Sequence, residues 1–339
     1  MLPVARALAS TDVPVIDLAP VWTGDAAARK AVADDIAAAC QRIGFFYVKN
    51  HRIAQSDIDA IFQTAVDFHS LPLAAKMEVS VTKNEHFQGY LHGMTKGNDR
   101  SITENLQEAF QIRRPLAADD PDLLAGKPLH GLIPWPSAMP DLKPRMMAYY
   151  DKVNALGYEL LALFELSLGL QKDRLAQFFM KDMNSLRLLH YPPQEPDAPR
   201  EFLGARAHTD TNVFTILAQD SNGGLEVRSK TGEWGAVPPI PGTLVINVGE
   251  ILKVWTDGIF SSIAHRVINR SGNERYSIPF FMYPSFDALI APLMTNPDPA
   301  SIAPEDLQTS MPRNKPFIYG ELKARNSARI IPRKEPVAG

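Results

Sequence analysis

From Ser185 onward the chain is written in short apolar runs separated by turn residues, and no other feature limits its fold as much. Strands are expected near 185–191, 203–209, 213–218, 224–228, 233–237, 243–247, 259–268, 274–283 and 286–291. Gly223-Gly224, Thr231-Gly232 and Pro241-Gly242 punctuate them. Many short strands with frequent turns argue for a sandwich or a barrel.

The preceding residues are mostly helical. A short edge strand is expected at 13–18 (VPVIDL), a helix from Ala26 to Ile43, and a strand at 45–50 after the break at Gly44. A second helix is expected after Ser56 as N-cap, running to about His69, with Pro72 opening a short third. Residues 80–105 are polar and glycine-bearing and read as a flexible loop, with His86 and His92 at the surface. Such a loop beside a site serves either as a lid or as plain connection. A strand is expected from Leu106 to Arg113, and a proline-rich connector over 115–138 that Trp135 could anchor. Leu156, Leu160, Leu163, Leu166 and Leu170 recur at three- and four-residue steps, marking a long helix over 142–170 that braces the strands from outside. A shorter helix over 173–180, one helical turn over 249–255 and a terminal helix in the tail complete the reading. These signals divide the chain into an N-terminal region (1–115), a connector with the bracing helix (116–184), a strand-rich core (185–295) and a tail (296–339), together forming one unit.

Composition excludes several classes. With 339 residues, 45% hydrophobic, the chain can bury a sizeable core. A formal charge of −3 leaves no basic footprint for nucleic acid. The single cysteine, Cys40, rules out an intramolecular disulfide and lies among apolar helical residues, so it reads as buried. The N-terminus has no sustained apolar core of a signal peptide, and the run containing Glu165 is too short for a membrane span. A cytoplasmic location with no membrane partner is the expectation, and the oligomeric state is left open.

Within the strand-rich half, His208 and Asp210 are two apart, His265 follows Asp210 by 55 positions, and Arg275 follows His265 by 10. On a strand, residues two apart share a face, so an imidazole and a carboxylate would converge. Two such histidines and one carboxylate suit Fe(II) and leave other positions on the metal open. His208-Thr209-Asp210 alone is weak evidence, because such a triplet arises by chance. Arg275 and Ser277 share one face of a strand that enters a core with Ile278, Phe280 and Phe281. A buried arginine needs an anion, which could be a ligand's carboxylate or a structural Asp or Glu.

Taken together, these residues resemble the iron(II)- and 2-oxoglutarate-dependent dioxygenases of the isopenicillin N synthase-like branch. His208-Thr209-Asp210, His265 and Arg275-Tyr276-Ser277 stand at the branch's spacings, with the Tyr191-Pro192 strand upstream. The N-terminal VPVIDL and CQRIGFFYVKNH segments resemble the same branch, so most of the chain is covered. The runs LRLLHYP and QDSNGGLEV are similar to those of thymine 7-hydroxylase and gibberellin oxidase relatives. The resemblance implies a double-stranded β-helix, or jelly roll, with helices packed outside. It implies iron held by His208, Asp210 and His265, and 2-oxoglutarate chelating it, with the distal carboxylate at Arg275, Ser277 and Tyr191. It further implies dioxygen as oxidant, ascorbate in support, release of succinate and carbon dioxide, and an iron(IV)-oxo that hydroxylates or desaturates a small organic molecule. One departure is Leu189, where many relatives carry an asparagine that serves the co-substrate.

Substrate contacts are less defined. Arg187 shares the Tyr191 face and suits an acidic or carbonyl group, or a structural ion pair. Phe281 continues the Arg275 face and could stack on a ring or fill the core. Asn212 and Phe214 continue the His208 face if that strand persists. Rival readings are an oxidative cyclase needing no 2-oxoglutarate, an ethylene-forming type of the same fold, a non-catalytic metal- or ligand-binding barrel, and a zinc hydrolase. Loss of the arginine anchor's purpose counts against the last.

Overall fold

A computed structural model describes residues 6–7, 13–92, 107–194, 203–229, 231–295 and 315–328. Strands β1 (Arg6–Ala7) and β2 (Val15–Asp17) precede helix α1 (Ala26–Arg42). Asp25 starts that helix by accepting from the backbone N–H of Ala27 at 2.8 Å. Gly44 ends it at φ 67°, where a Cβ would collide with the Ser261 carbonyl oxygen. There follow β3 (Phe45–Lys49), α2 (Gln55–His69), α3 (Leu73–Glu78), β4 (Gly89–Leu91), β5 (Glu108–Arg113), α4 (Pro121–Leu124) and α5 (Leu142–Ser167). The strand-rich half holds β6 (Ser185–Tyr191), β7 (Ala205–His208), β8 (Phe214–Gln219), β9 (Leu225–Arg228), β10 (Trp234–Ala236) and β11 (Thr243–Val248). After α6 (Glu250–Trp255) come β12 (His265–Val267), β13 (Arg275–Met282), β14 (Leu289–Ile290), β15 (Phe317–Ile318) and α7 (Tyr319–Ala328).

Apart from β14 and β15, which pair with each other, these strands form the two facing sheets of a jelly roll. The larger sheet runs β2-β3-β11-β8-β13-β6-β5-β4, and the smaller runs β1-β10-β9-β12-β7. The strands of the larger sheet are apolar on both faces, and the alternation shows why. Phe46, Val48, Leu186, Leu188, Leu244 and Ile246 point to the helices and form one core with α1, α2 and α5. Phe45, Tyr47, Leu189, Tyr191 and Val245 point the other way, against Ala205, Leu225, Val227 and Val267 of the smaller sheet. The site described below opens from this inter-sheet layer.

Helix α5 braces the larger sheet as expected, burying Leu142, Met146, Tyr149, Val153, Leu156, Leu160, Leu163 and Phe164 in one stripe. It stops at Ser167 rather than 170, so Leu170 lies beyond it. The buried Glu165 carboxylate turns the chain there by accepting from the backbone N–H groups of Asp173, Leu175 and Ala176. The segment expected as a helix over 173–180 is only a 3-10 turn, Ala176–Phe179. The N-cap of α2 is Ala54, not Ser56, which lies inside the helix, and the cap position carries no side-chain bond.

The loop expected over 80–105 contains a 3-10 turn, Val81–Lys83, and strand β4, which pairs with β5. Its residues 93–105 lie outside the described residues. His92 is exposed as expected, whereas His86 is half-buried against Gly131. Trp135 does anchor the connector, with its ring 5.9 Å from Phe110. The strand expected at 259–268 shrinks to β12, and that at 286–291 to β14, whose partner β15 comes from the tail. Among the described residues no helix is long and apolar enough to cross a membrane.

Candidate active site

His208 and His265 meet because their strands pair. They are register partners across β7 and β12, and their ring centroids lie 4.3 Å apart. Asp210 reaches them by a different route from the expected strand geometry. Strand β7 ends at His208, and Asp210 sits in the turn beyond it. Its Oδ1 nonetheless lies 3.8 Å from Nε2 of each histidine. One ligand atom from each of the three falls within 4.8 Å of the others.

Each donor is held by a second bond. The His208 Nδ1 lies 2.7 Å from the Arg206 carbonyl, and His265 Nδ1 lies 3.4 Å from that of Ile263. Both rings therefore turn Nε2 toward Asp210. Asp210 Oδ2 accepts from the Thr215 hydroxyl at 2.5 Å and from the Asn247 amide at 2.8 Å, leaving Oδ1 for a metal. Thr215 and Asn247 are register partners on β8 and β11. Burial alone would raise the Asp210 carboxyl, but His265, His208, Thr215 and Asn247 outweigh it and keep it below its ordinary value. Burial, and then the neighbouring His208, push His265 down to about 4, so it stays neutral at pH 7. Two imidazoles and a carboxylate on one side of a cavity are a donor set that fits Fe(II) with positions to spare. Neither Thr215 nor Asn247 was singled out in the sequence. Asn247 did carry a signal, as the lone amide in the apolar strand TLVINV.

Of the two partners expected for Arg275, a structural Asp or Glu is not found among the described residues. Arg275 is only 1% exposed, and no carboxylate lies within ion-pair distance among the described residues. Its Nε donates to the Gly223 carbonyl, while its Nη1 is buried with no hydrogen-bond partner among the described residues. A buried guanidinium edge left without an acceptor is costly unless an anion joins it. The cavity beside it is shared with the iron triad, has a volume of about 230 Å³, and is also lined by Ser277 and Tyr191. Tyr191 is the register partner of Arg275 on β6, and Ser277 pairs with Leu189. Leu189 presents an apolar wall to this cavity, and Gln107, which sequence reasoning missed, is a polar neighbour on the same lining. The donors and the cavity thus fit a dicarboxylate.

Arg187 and Phe281 both line this cavity, with the guanidinium carbon 4.9 Å from the ring centroid. Arg187 forms no ion pair among the described residues, and its Nε is buried without a partner. Asn212 and Phe214 do not reach the cavity. The strand breaks after His208, and Asn212 folds back to donate to the Phe214 carbonyl and the Thr215 hydroxyl. Phe214 points to the helix side, 5.0 Å from Phe164. Lys323 of α7 was also missed in the sequence, yet it lines the cavity.

A second cluster, His69, Glu108 and His190, brings three possible donors together on the opposite face of β6. Glu108 is already occupied there by Lys76 at 2.9 Å, by the Tyr90 hydroxyl and by His190 at 2.8 Å. A cation would face the Lys76 ammonium, so this cluster is a polar network centred on Glu108.

Comparison with known proteins agrees with this geometry. Residues 13–138 match the family described as non-haem dioxygenase in morphine synthesis N-terminal, and residues 183–284 match the 2OG-Fe(II) oxygenase superfamily. The chain is 32% identical over 279 residues to the 2-oxoglutarate-Fe(II) type oxidoreductase hxnY of Emericella nidulans, covering 81% of this chain and 80% of that one. It is 32% identical over 300 residues to clavatol oxidase claD of Penicillium crustosum, covering 84% and 89%. A full-length Neurospora crassa protein, solved in complex with alpha-KG, superposes with a TM-score of 0.79 at 27% identity, covering 93% of this chain and 96% of that chain. Matching in both halves, with the paired histidines, the carboxylate and the unpaired arginine in one cavity, the chain belongs to the 2OG-Fe(II) oxygenase superfamily and is a dioxygenase that uses iron and 2-oxoglutarate.

Proposed function

We propose that this dioxygenase hydroxylates a C–H bond of a small organic molecule in the cavity shared by His208, Asp210, His265 and Arg275. When bound, iron and 2-oxoglutarate supply the oxidising chemistry, consuming dioxygen and releasing succinate and carbon dioxide. His208, Asp210 and His265 hold the metal, and their bonds to Arg206, Ile263, Thr215 and Asn247 fix their orientation. Arg275 binds the distal carboxylate of 2-oxoglutarate through its free Nη1, with Ser277 and Tyr191 as hydroxyl donors beside it. Leu189, Leu217, Val267 and Phe281 line the remaining wall, where they exclude water from the reacting carbon. Arg187 and Phe281 contact the prime substrate.

The observation that carries this reading is the buried, unpaired Arg275 Nη1 in the same cavity as the three converging donors. A small prime substrate is supported by the same Neurospora crassa protein, solved also with alpha-KG and thymine, at 27% identity and a TM-score of 0.77. The test is a panel of small organic compounds incubated with protein, Fe(II), 2-oxoglutarate, oxygen and ascorbate. The expected result is substrate-dependent succinate release with one oxygen atom added to a product. Undiminished turnover in both the His208→Ala and Asp210→Ala variants would refute the assignment.

A further inference from the structure

Next to the iron-side cavity lies a second one of about 350 Å³, sharing Arg187, Thr211, Tyr283 and Lys323 as its walls. Its floor comes from the sheet. Gln111 and Arg113 on β5 are the register partners of Arg187 and Ser185 on β6, so all four stand side by side. Its roof comes from α7, where Lys323, Asn326 and Ser327 share a helix face at three- and four-residue spacing.

Three cations, Arg113, Arg187 and Lys323, line this cavity, and among the described residues no carboxylate does. Arg113 is accounted for, because its Nη1 donates to the carbonyls of His86 and Leu129. Lys323 donates to the Tyr283 hydroxyl at 2.9 Å and lies 4.2 Å from that ring's centroid. Neither contact neutralises it. The Arg187 guanidinium carbon lies 4.9 Å from the Phe281 ring centroid, with its Nε buried and unbonded among the described residues. Burial, followed by Arg187 and Arg113, depresses the Lys323 ammonium well below its ordinary value, and the Asp210 carboxylate of the neighbouring cavity offsets this only in part. Arg113 is buried and Arg187 and Lys323 are half-buried, and like charges gathered in a partly desolvated cavity favour an anion.

We propose that the prime substrate carries a carboxylate, which Arg187 and Lys323 hold in this second cavity while the carbon to be oxidised lies in the first. This rests on the reading of the iron site given above and narrows its substrate class. One guanidinium edge and one ammonium are left over once Arg113 is bonded to its carbonyls, and that pair matches a singly charged, planar group. Phe281 beneath Arg187 leaves an apolar path for the body of the substrate.

The test uses the anaerobic Fe(II)- and 2-oxoglutarate-loaded protein, titrated with benzoate, phenylacetate and cyclohexanecarboxylate and with their primary amides. Binding is read from the change in the visible chelate band. At least one acid is expected to bind about tenfold or more tightly than its amide, the scale of one charge-assisted contact. That preference is expected to vanish in Lys323→Met and Arg187→Gln, and to survive in Lys323→Arg. Equal binding of acids and amides, no response to any acid, or a preference that persists in both neutral variants overturns the proposal. An acid affinity that weakens in step with added 2-oxoglutarate also overturns it, since the acid is then at Arg275. Absence of the chelate band before any acid is added instead counts against the iron-site reading, so the two failures are distinguishable.

Discussion

Arg275 lies against Tyr191, its register partner across β13 and β6, with the guanidinium carbon 4.6 Å from the ring centroid. The ring fixes one face of the guanidinium and Gly223 takes Nε, which leaves Nη1 as the one buried edge with no acceptor among the described residues. The strand pairing thus prepares a donor for an anion before any anion arrives, and much of its ordering cost is met in folding.

Removing that donor is expected to weaken 2-oxoglutarate selectively. Losing one partner of a buried charge pair costs about 2–5 kcal/mol, so Arg275→Leu should raise the 2-oxoglutarate concentration for half-saturation by roughly two orders of magnitude or more. Fe(II) affinity without 2-oxoglutarate should change little. Steady-state kinetics and anaerobic metal binding check the two halves, and an unchanged co-substrate requirement contradicts the role.

Asn247 holds the oxygen of Asp210 that faces away from the histidines. Asn247→Ala frees that carboxylate to rotate and should lower Fe(II) affinity about 10- to 100-fold, the range seen when a ligand's supporting bond is lost. Anaerobic equilibrium dialysis measures it. Fe(II) affinity equal to wild type would show that Thr215 alone orients Asp210.

The resemblance in the sequence named the three side chains that converge and the arginine beside them, whereas the strand-face reasoning held for His208 and failed for Asp210 and the residues after it. Alternation on a strand says which residues share a face only while the strand lasts. Here it ends at His208, so Asp210 arrives through a turn, Asn212 bonds the backbone and Phe214 faces the helices. The pairing of His265 with His208 depends on register between strands more than fifty residues apart, which no local pattern encodes. Lys323 was invisible for the same reason, because only the packing of α7 brings it over the cavity. The long helix was legible because its leucine stripe is repeated over many turns, whereas its end depends on the single buried Glu165. β14 and β15 are two-residue strands that make sense only as a pair.

Phe164 of α5 should matter to stability and not to chemistry. Its ring meets Phe214 at 5.0 Å, Phe260 at 6.3 Å and Phe46 at 6.5 Å in the fold's helix-side core, and it does not line the metal-side cavity. Phe164→Ala is expected to cost about 3–5 kcal/mol through lost burial and the cavity left behind. Chemical denaturation checks this, with kcat per folded molecule unchanged at low temperature. A cost under about 1 kcal/mol would mean the helix is not bracing the sheet there.

His190 gives stability a pH dependence of known sign. It lies 2.8 Å from Glu108 and 2.5 Å from Glu274 and stacks on Tyr276. Burial opposes its protonation, but the two carboxylates outweigh burial and raise it above 6.5. A pKa raised on folding contributes stability that is fully present below the unfolded value and is lost as pH rises through the folded value. Glu108 has the opposite sense. Burial opposes its ionisation, yet bonds from His190, His69 and Tyr90 hold it far below 4.5, so its contribution is present above that value and falls away in acid. The melting-temperature gap between wild type and His190→Gln should therefore be widest near pH 5–6 and narrow toward pH 9. A gap that widens with pH contradicts the assignment.

The most direct measurement is an anaerobic titration of metal-free protein, first with Fe(II) and then with 2-oxoglutarate, followed by visible absorption. A charge-transfer band that appears only after both additions is the expected result. It should be absent in His208→Ala, and in Arg275→Leu it should require far more 2-oxoglutarate. A protein that binds Fe(II) yet gives no band at any 2-oxoglutarate concentration would contradict the claim that the triad and Arg275 form one site.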